Sequence, residues 1–290
     1  MPTVVGTAFT ANLNADKIFI DMTYLPDPIT HKFWLTIQNQ SISALYFKIV
    51  NNIANWTLTT PSDGKLGSVG GGATGTFTPV LSRAKPASET TDTGSLKIEA
   101  YTDSGYTNKI GEASLNVTVY IEDLETWTDV TKYDFNDGTA QGWSGGSVTG
   151  EVSVEAGGYS YITPEVGGAT ADKSISRSIT LPNRAKVRLA LYLTLKNRNS
   201  HASADTSVSI TALTMKVNGT EVFKIPSTFL SVYAVHGTTV YGSPWSKIAL
   251  DLSAYKNQTV TITITYTLYS PYSLTYAAAI TDRIVIAGKD

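Results

Sequence analysis

Between Thr259 and Tyr269 every second residue is apolar. Val260, Ile262, Ile264, Tyr266 and Leu268 fall on one side of this stretch, and Thr259, Thr261, Thr263, Thr265 and Thr267 on the other. Successive side chains of an extended chain point to opposite faces, so this period of two predicts a strand with one face in a core and one toward water. Three further rows repeat the pattern: Val187, Leu189, Leu191, Leu193 and Leu195; Leu115, Val117, Val119 and Ile121; and Phe33, Leu35 and Ile37. Half-buried strands of this kind belong to antiparallel sheets. No window of ten or more residues keeps a 3.6 period, so the chain reads as all-β with almost no helix. The apolar register shifts between Val208–Ile210 and Leu213–Met215–Val217, which predicts a β-bulge.

Turn chemistry separates the rows. Asn218-Gly219 predicts a tight hairpin with positive φ at both turn residues, and Asp103-Ser-Gly105 reads as a second turn of this kind. Residues 62–75, from Ser62 to Gly75, form a glycine-rich stretch expected to be one long loop.

A chain of 290 residues exceeds what one ordinary core serves, so two domains are expected. Charged residues are only 16%, and polarity comes from Thr, Ser, Asn and 16 tyrosines. The net charge of −2 leaves no electrostatic footprint for nucleic acid. Arg184, Lys186 and Arg188 alternate along one strand and read as a solvated face. Cysteine is absent, which excludes disulfides, thiolate-bound metals and a thiol nucleophile. No apolar run reaches the length of a membrane span. The first residues lack the pattern of a secretory signal, so the expectation is either a signal already removed or a route to a surface without secretion. Because hydroxyl groups stay neutral in acid, the chain is also expected to tolerate acid better than a charge-rich protein.

The fold class predicted is an N-terminal Ig-like β-sandwich over 1–123, a linker over 124–131, and a C-terminal jelly-roll β-sandwich over 132–290. In the first unit, Trp34 or Trp56 is expected as the core tryptophan. Asn55-Trp-Thr-Leu, a glycine-rich turn, Phe77-Thr-Pro and Ser95-Leu-Lys-Ile-Glu-Ala-Tyr101 resemble the fibronectin- and immunoglobulin-like modules of archaeal and bacterial surface proteins. Trp127 in the linker is expected at an interface between domains.

The second unit opens with Tyr133-Asp-Phe-Asn-Asp-Gly-Thr-Ala-Gln-Gly-Trp143. This stretch, together with Ile248–Ile264 and the closing Asp282-Arg-Ile-Val-Ile286, resembles galactose-binding-like jelly rolls, the fold of many carbohydrate-binding modules. The resemblance implies a structural calcium between the opening and last strands, with Asp134, Asp137 and Asp282 at those places. It leaves the ligand open, because that fold hosts many functions.

Several motifs match reaction machinery only in spelling. Gly142-Trp-Ser-Gly-Gly146 matches G-x-S-x-G, but no helix follows Ser144 to make a nucleophile elbow. Gly70–Gly75 matches G-x-G-x-x-G, also without a helix. His31, His201 and His236 lack metal-ligand spacing and are expected in exposed loops. Glu151, Glu155 and Glu165 are no recognisable catalytic pair. The five Asn-x-Ser/Thr sites at Asn39, Asn55, Asn116, Asn218 and Asn257 permit glycosylation and no more. Contact residues are better found in Tyr269-Ser-Pro-Tyr-Ser-Leu-Thr-Tyr276, a loop rich in aromatics and hydroxyls. Trp143, Trp245, Tyr269, Tyr272 and Tyr276 are the aromatics a ligand could stack on; Trp143 and Trp245 read more readily as core, and Tyr269, Tyr272, Tyr276 and Trp245 are the candidates for ligand binding.

Together these features describe a non-catalytic surface or attachment protein. Its architecture resembles the turret and spike proteins of archaeal viruses. That resemblance implies a virion or extracellular location, with other copies, other coat proteins or host-surface glycans as partners. The alternative is a pair of carbohydrate-binding modules from a secreted enzyme.

Overall fold

The computed structural model describes residues 3–5, 8–23, 26–150, 152–153, 158–226, 228–242 and 246–290. Its fold is all-β, with two β-sandwiches in series, and contacts divide the chain into Met1–Asp123 and Leu124–Asp290. Among the described residues the only helical pieces are short 3-10 turns at Leu124–Thr126 and Ser253–Tyr255.

The first unit contains β1 (Thr3–Val5), β2 (Phe9–Leu13), β3 (Lys17–Asp21), β4 (Ile29–Lys32), β5 (Leu35–Asn39) and β6 (Leu45–Asn51). It continues with β7 (Thr57–Thr60), β8 (Lys65–Val69), β9 (Thr74–Phe77), β10 (Val80–Arg83), β11 (Thr90–Tyr101) and β12 (Lys109–Glu122). One sheet runs β1-β2-β5-β9, and the strands facing it run β3-β12-β11-β6-β8, with β3 parallel to β12. A small sheet, β4-β10-β7, stands at the side. The predicted rows at Leu35–Ile37 and Leu115–Ile121 meet Phe9, Phe47, Ile49, Leu96 and Ile98 in one core. Phe9 and Phe47 pack edge to face, with centroids 5.3 Å apart. Each such side chain contributes roughly 1.5–3 kcal/mol when withdrawn from water.

Two turn expectations change. The stretch 62–75 is not one loop, because β8 lies inside it and pairs with β6 through a register shift at Phe47/Lys48. Leu66 and Val69 supply the apolar surface that holds this glycine-containing strand against the core. The turn after Tyr101 is wider than a two-residue hairpin. The Asp103 carboxylate accepts hydrogen bonds from the amides of Thr107 (3.2 Å) and Asn108 (2.7 Å) and so closes a longer loop.

Both Trp34 and Trp56 are buried, but Trp56 belongs to the central cluster. Its indole N–H donates to Asp92 (2.9 Å), a buried carboxylate that also accepts from Asn55 Nδ2 (2.9 Å) and pairs with Arg83. Glu99 is another buried acid. Burial alone would raise its pKa, but hydrogen bonds from Tyr101, Lys97 and Lys109 bring it down to about 2.

The second unit contains β13 (Asp129–Tyr133), β14 (Ser147–Thr149), β15 (Ser160–Ile162), β16 (Val166–Gly167), β17 (Thr170–Thr180), β18 (Lys186–Asn199) and β19 (Thr206–Val217). It ends with β20 (Thr220–Ile225), β21 (Leu230–Ala234), β22 (Thr239–Tyr241), β23 (Ser246–Asp251), β24 (Thr259–Tyr269) and β25 (Thr275–Lys289). One sheet runs β14-β15-β25-β18-β23, with β13 and β16 also on β25 and β22 on β18. The other runs β17-β24-β19-β20, with β21 also on β19.

The alternation of β24 is kept. Its apolar row is buried, and the hydroxyl of Tyr266 meets Thr281 Oγ1 of the opposite sheet at 2.6 Å. The bulge predicted in β19 falls between Ile210 and Ala212, and Asn218-Gly219 makes the tight turn with φ of 50° and 81°.

The row along β18 behaves differently. Every residue from Val187 to Lys196 is buried, on both faces. The outward residue Ala190 packs with Leu124, Trp127, Val285 and Ala287. The segment 124–131 is therefore part of the second unit rather than a linker, since Leu124 and Trp127 bury their apolar surface on its sheet. Arg188, read from sequence as solvated, is 4% exposed and pairs with Asp251 at 2.6 Å.

His31 departs from its expected exposed loop. It lies on β4 with its ring edge-on to Phe33 (4.8 Å), and its Nε2 is sealed without a hydrogen bond. Burial pushes its pKa down to about 4. The native state thus resists a proton that the unfolded chain accepts. Stability of the first unit is expected to be full above pH 6.5 and to fall, by up to about 3 kcal/mol, as pH drops through 4. Glu99 adds a second loss between pH 4.5 and about 2. Urea unfolding at stepped pH checks both, with His31→Gln expected to flatten only the upper window.

Candidate functional site

At one end of the second sandwich the strands deliver several aromatic and apolar side chains to solvent. Tyr233 is 58% exposed, Tyr272 49% and Tyr269 40%, and Val235 and Leu274 are exposed beside them. Tyr233 lies on β21 and Tyr269 ends β24, while Val235, Tyr272 and Leu274 lie in the loops that follow these strands. Cross-strand pairing places Tyr269 opposite Ser209, Ser209 opposite Ser231, and Tyr233 opposite Ser207. Tyr269 and Tyr233 thus stand on either side of serine hydroxyls carried by β19.

A buried amide ladder holds these loops. The inward row of β18 is apolar through Leu195 and then turns polar at Asn197 and Asn199, both buried. Asn197 Nδ2 donates to the carbonyls of Thr206 (3.1 Å) and Val232 (2.8 Å). Asn199 Nδ2 donates to those of Ala204 (2.8 Å) and Ala234 (3.2 Å), and its Oδ1 accepts from the amide of His201 (3.0 Å). These bonds satisfy carbonyls where the ladders end, which a leucine could not do. Asn197 Oδ1, Thr206 Oγ1 and Thr275 Oγ1 remain sealed without partners beneath the same loops.

The tyrosine loop is pinned from its other side. The amide of Ser270 donates to Ala169 O (2.9 Å), and that of Thr275 to Tyr272 O (3.0 Å). Gly168 has φ of 60°, and a Cβ there would stand 2.8 Å from the Ser273 amide, so only glycine admits the loop so closely. The His201 ring meets Tyr272 at 5.4 Å. Asp205 accepts from Tyr233 OH (2.5 Å) and from the amide of His236 (3.0 Å). The Tyr233 hydrogen bond leads in holding the Asp205 carboxyl below its usual range, so it stays ionised.

The candidates chosen from sequence divide as follows. Tyr269 and Tyr272 are exposed at this end. Tyr276 is only partly accessible, with Arg198 over its ring at 4.3 Å and Glu165 bound to that guanidinium at 2.5 Å. Trp245 lies outside the described residues, as do Glu151 and Glu155. Trp143 is buried. The exposed Tyr233 and the Asn197–Asn199 ladder were missed, because neither a tyrosine on a short strand nor two asparagines ending an apolar row signals a site without its neighbours.

Asp134, Asp137 and Asp282 each accept a hydrogen bond from a different partner. Asp134 accepts from Asn136 N (3.2 Å), Asp137 from Thr139 N (2.9 Å), and the buried Asp282 from Ser153 Oγ (2.7 Å). Among the described residues no three His, Asp or Glu side chains gather as a metal would require. Ser144, in its motif, bonds Ser176 rather than a histidine.

No family model matches the chain, and no curated protein matches it. Solved structures do match. A xylan-binding domain of Paenibacillus barcinonensis Xyn10C is 18% identical, over 56% of this chain and 96% of that one, with a TM-score of 0.29. The tandem of two such domains from the same protein is 10% identical, over 98% and 93%, with a TM-score of 0.31. A module solved with β-1,4-galactotriose is 13% identical, over 52% and 92%, with a TM-score of 0.31. At such values they assign this chain neither a family nor a ligand. They are carbohydrate-binding modules and not turret or spike proteins, and this corrects the expectation of a virion component with coat-protein partners.

Asn199→Ala is expected to cost about 3 kcal/mol, since it strands buried carbonyls, as measured by urea unfolding. A chelator is expected to leave the melting temperature unchanged, because each of the three aspartates already accepts a hydrogen bond from the protein; a clear drop would place a cation among them.

Proposed function

We propose that this chain is a non-catalytic carbohydrate-binding protein that works outside the cell. Its second unit grips a glycan with the loops around Tyr269, Tyr272 and Tyr233. The observation that carries this reading is the pairing of exposed aromatic rings with a rigid polar foundation. Free sugars present alternating C–H faces and hydroxyls, and a tyrosine offers an apolar ring with a polar tip. Side chains held in place before binding lose less entropy when the ligand arrives. The ladder of Asn197 and Asn199 and the close seat at Gly168 provide that order. Asp205 and His201 stand beside the rings as hydrogen-bonding groups.

In finer detail, the first unit is read as an Ig-like sandwich and the second as a galactose-binding-like jelly roll. The strand counts and the two facing sheets of each unit support this.

A glycan array, with xylan and β-1,4-galactan among its members, tests the function. At least one neutral glycan is expected to bind. The double variant Tyr269→Ala/Tyr272→Ala is expected to weaken that binding about tenfold or more, roughly 1.4 kcal/mol, with an unchanged melting temperature. A blank array, or a hit indifferent to both tyrosines, would sink the reading.

A further inference from the structure

The outward face of the β17-β24-β19 sheet has two halves, set by what flanks β19. β20 pairs with it along Leu213–Val217 and β21 along Thr206–Ile210. Among the described residues, the lysines of this face, Lys216 and Lys224, stand in the first half. The second half holds Tyr233, Tyr269 and the loops 199–206, 234–239 and 269–275. No lysine or arginine occurs in those loops, in β21 or in the stretches of β19 and β24 that join them.

The fixed charges of this half are carboxylates. Asp205, with a side chain 41% exposed, accepts from the Tyr233 hydroxyl (2.5 Å) and from the amide of His236 (3.0 Å). The Tyr233 bond leads in keeping it ionised. Asp172 lies opposite Thr267, two residues before Tyr269 on the same face, and accepts from the Thr267 hydroxyl at 2.6 Å. Among the described residues neither carboxylate pairs with a lysine or arginine. The cations nearest in sequence are engaged or turned away. Glu165 binds Lys196 and Arg198, and Lys173 takes a core-facing position opposite the buried Tyr266. The titratable groups of the loops are His236, with Nδ1 3.3 Å from Asp205 on a ring 60% exposed, and His201 against Tyr272.

Exposed phenol rings beside unmatched carboxylates favour one kind of ligand group. An ammonium is drawn to the electron-rich face of a ring and to a carboxylate next to it. Tyr233 and Asp205 offer both in one hydrogen-bonded pair, and donation from a phenol to a carboxylate enriches the ring further. The same surface repels a uronic acid or a sulfated sugar. Tyr269 and Tyr233 stand on strands either side of β19, at least about 10 Å apart by strand spacing. A short chain of sugars spans that distance better than a single ring.

We propose that this aromatic end selects a glycan with free, protonated amines, of the glucosamine type. Asp205 and Tyr233 hold one ammonium, and Tyr269 stacks on a neighbouring sugar ring. The inference rests on the function proposed above and names the class of sugar that the same site takes.

The test is calorimetric titration of the full chain with three probes: a glucosamine tetramer, its N-acetylated counterpart, and spermine, a polyamine without sugar. The amine tetramer is expected to bind at least about tenfold tighter than either of the others. Raising salt from about 50 mM to about 500 mM is expected to remove most of that preference, because screening shortens the reach of Asp205 and Asp172. Asp205→Asn is expected to cut the preference to about threefold or less, with its fold verified by melting temperature. Equal binding of the two tetramers, a preference indifferent to salt, or one unaltered in Asp205→Asn would overturn the proposal. So would spermine binding as tightly as the amine tetramer. Neutral glycans held through Tyr269 and Tyr272 would survive each of these results, so the two readings fail separately.

Discussion

The second unit depends on the antiparallel ladder between β18 and β25. It runs from Lys186↔Lys289 at one end to Asn199↔Thr275 at the other. Its length fixes where the core ends and where the loops begin. Its one register shift, at Leu191/Tyr192, leaves Arg283 outside the pairing, at φ of 39°. Because β13, β15 and β16 also pair with β25, the opening motif and the closing strand are bound into one sheet. The aromatic loops then sit on a foundation that resists bending.

Polar groups inside both units follow one rule. A buried charge survives where neighbours replace the water it lost. Asp92 has Trp56, Asn55 and Arg83; Glu99 has Tyr101, Lys97 and Lys109; Arg188 has Asp251. Against that background the sealed atoms of Arg177, Trp143 and His31 stand out. In His31 the shortage appears as a proton the native state declines. The Arg177 guanidinium instead rests over the ring of Tyr133. Low overall charge therefore does not by itself confer indifference to pH, since single buried groups set the limit.

Much of the architecture was legible from period and turns. The Thr259–Tyr269 row, the bulge near Ala212 and the Asn218-Gly219 hairpin are local features, written in residues that touch along one strand or across one turn. The misreadings share a cause. Val187–Leu195 looked half-exposed because alternation reports one strand, whereas the second face of β18 is covered by Trp127, from a segment far earlier in the chain. The same distance hid the place of segment 124–131. Within the site, Tyr269 and Tyr272 were visible as a composition, while Tyr233 and the amides beneath it were not.

Alternation, turn residues and the lack of cysteine determined by themselves that this chain builds sheets without crosslinks. Backbone pairing and side-chain direction repeat every two residues, and such short-range rules are complete in the sequence. Which aromatic stays dry, which carboxylate finds a donor and which arginine is left unmatched were decided only by tertiary structure. Each of those outcomes is set by atoms brought within hydrogen-bond reach from distant strands, and a hydrogen bond acts only at that range.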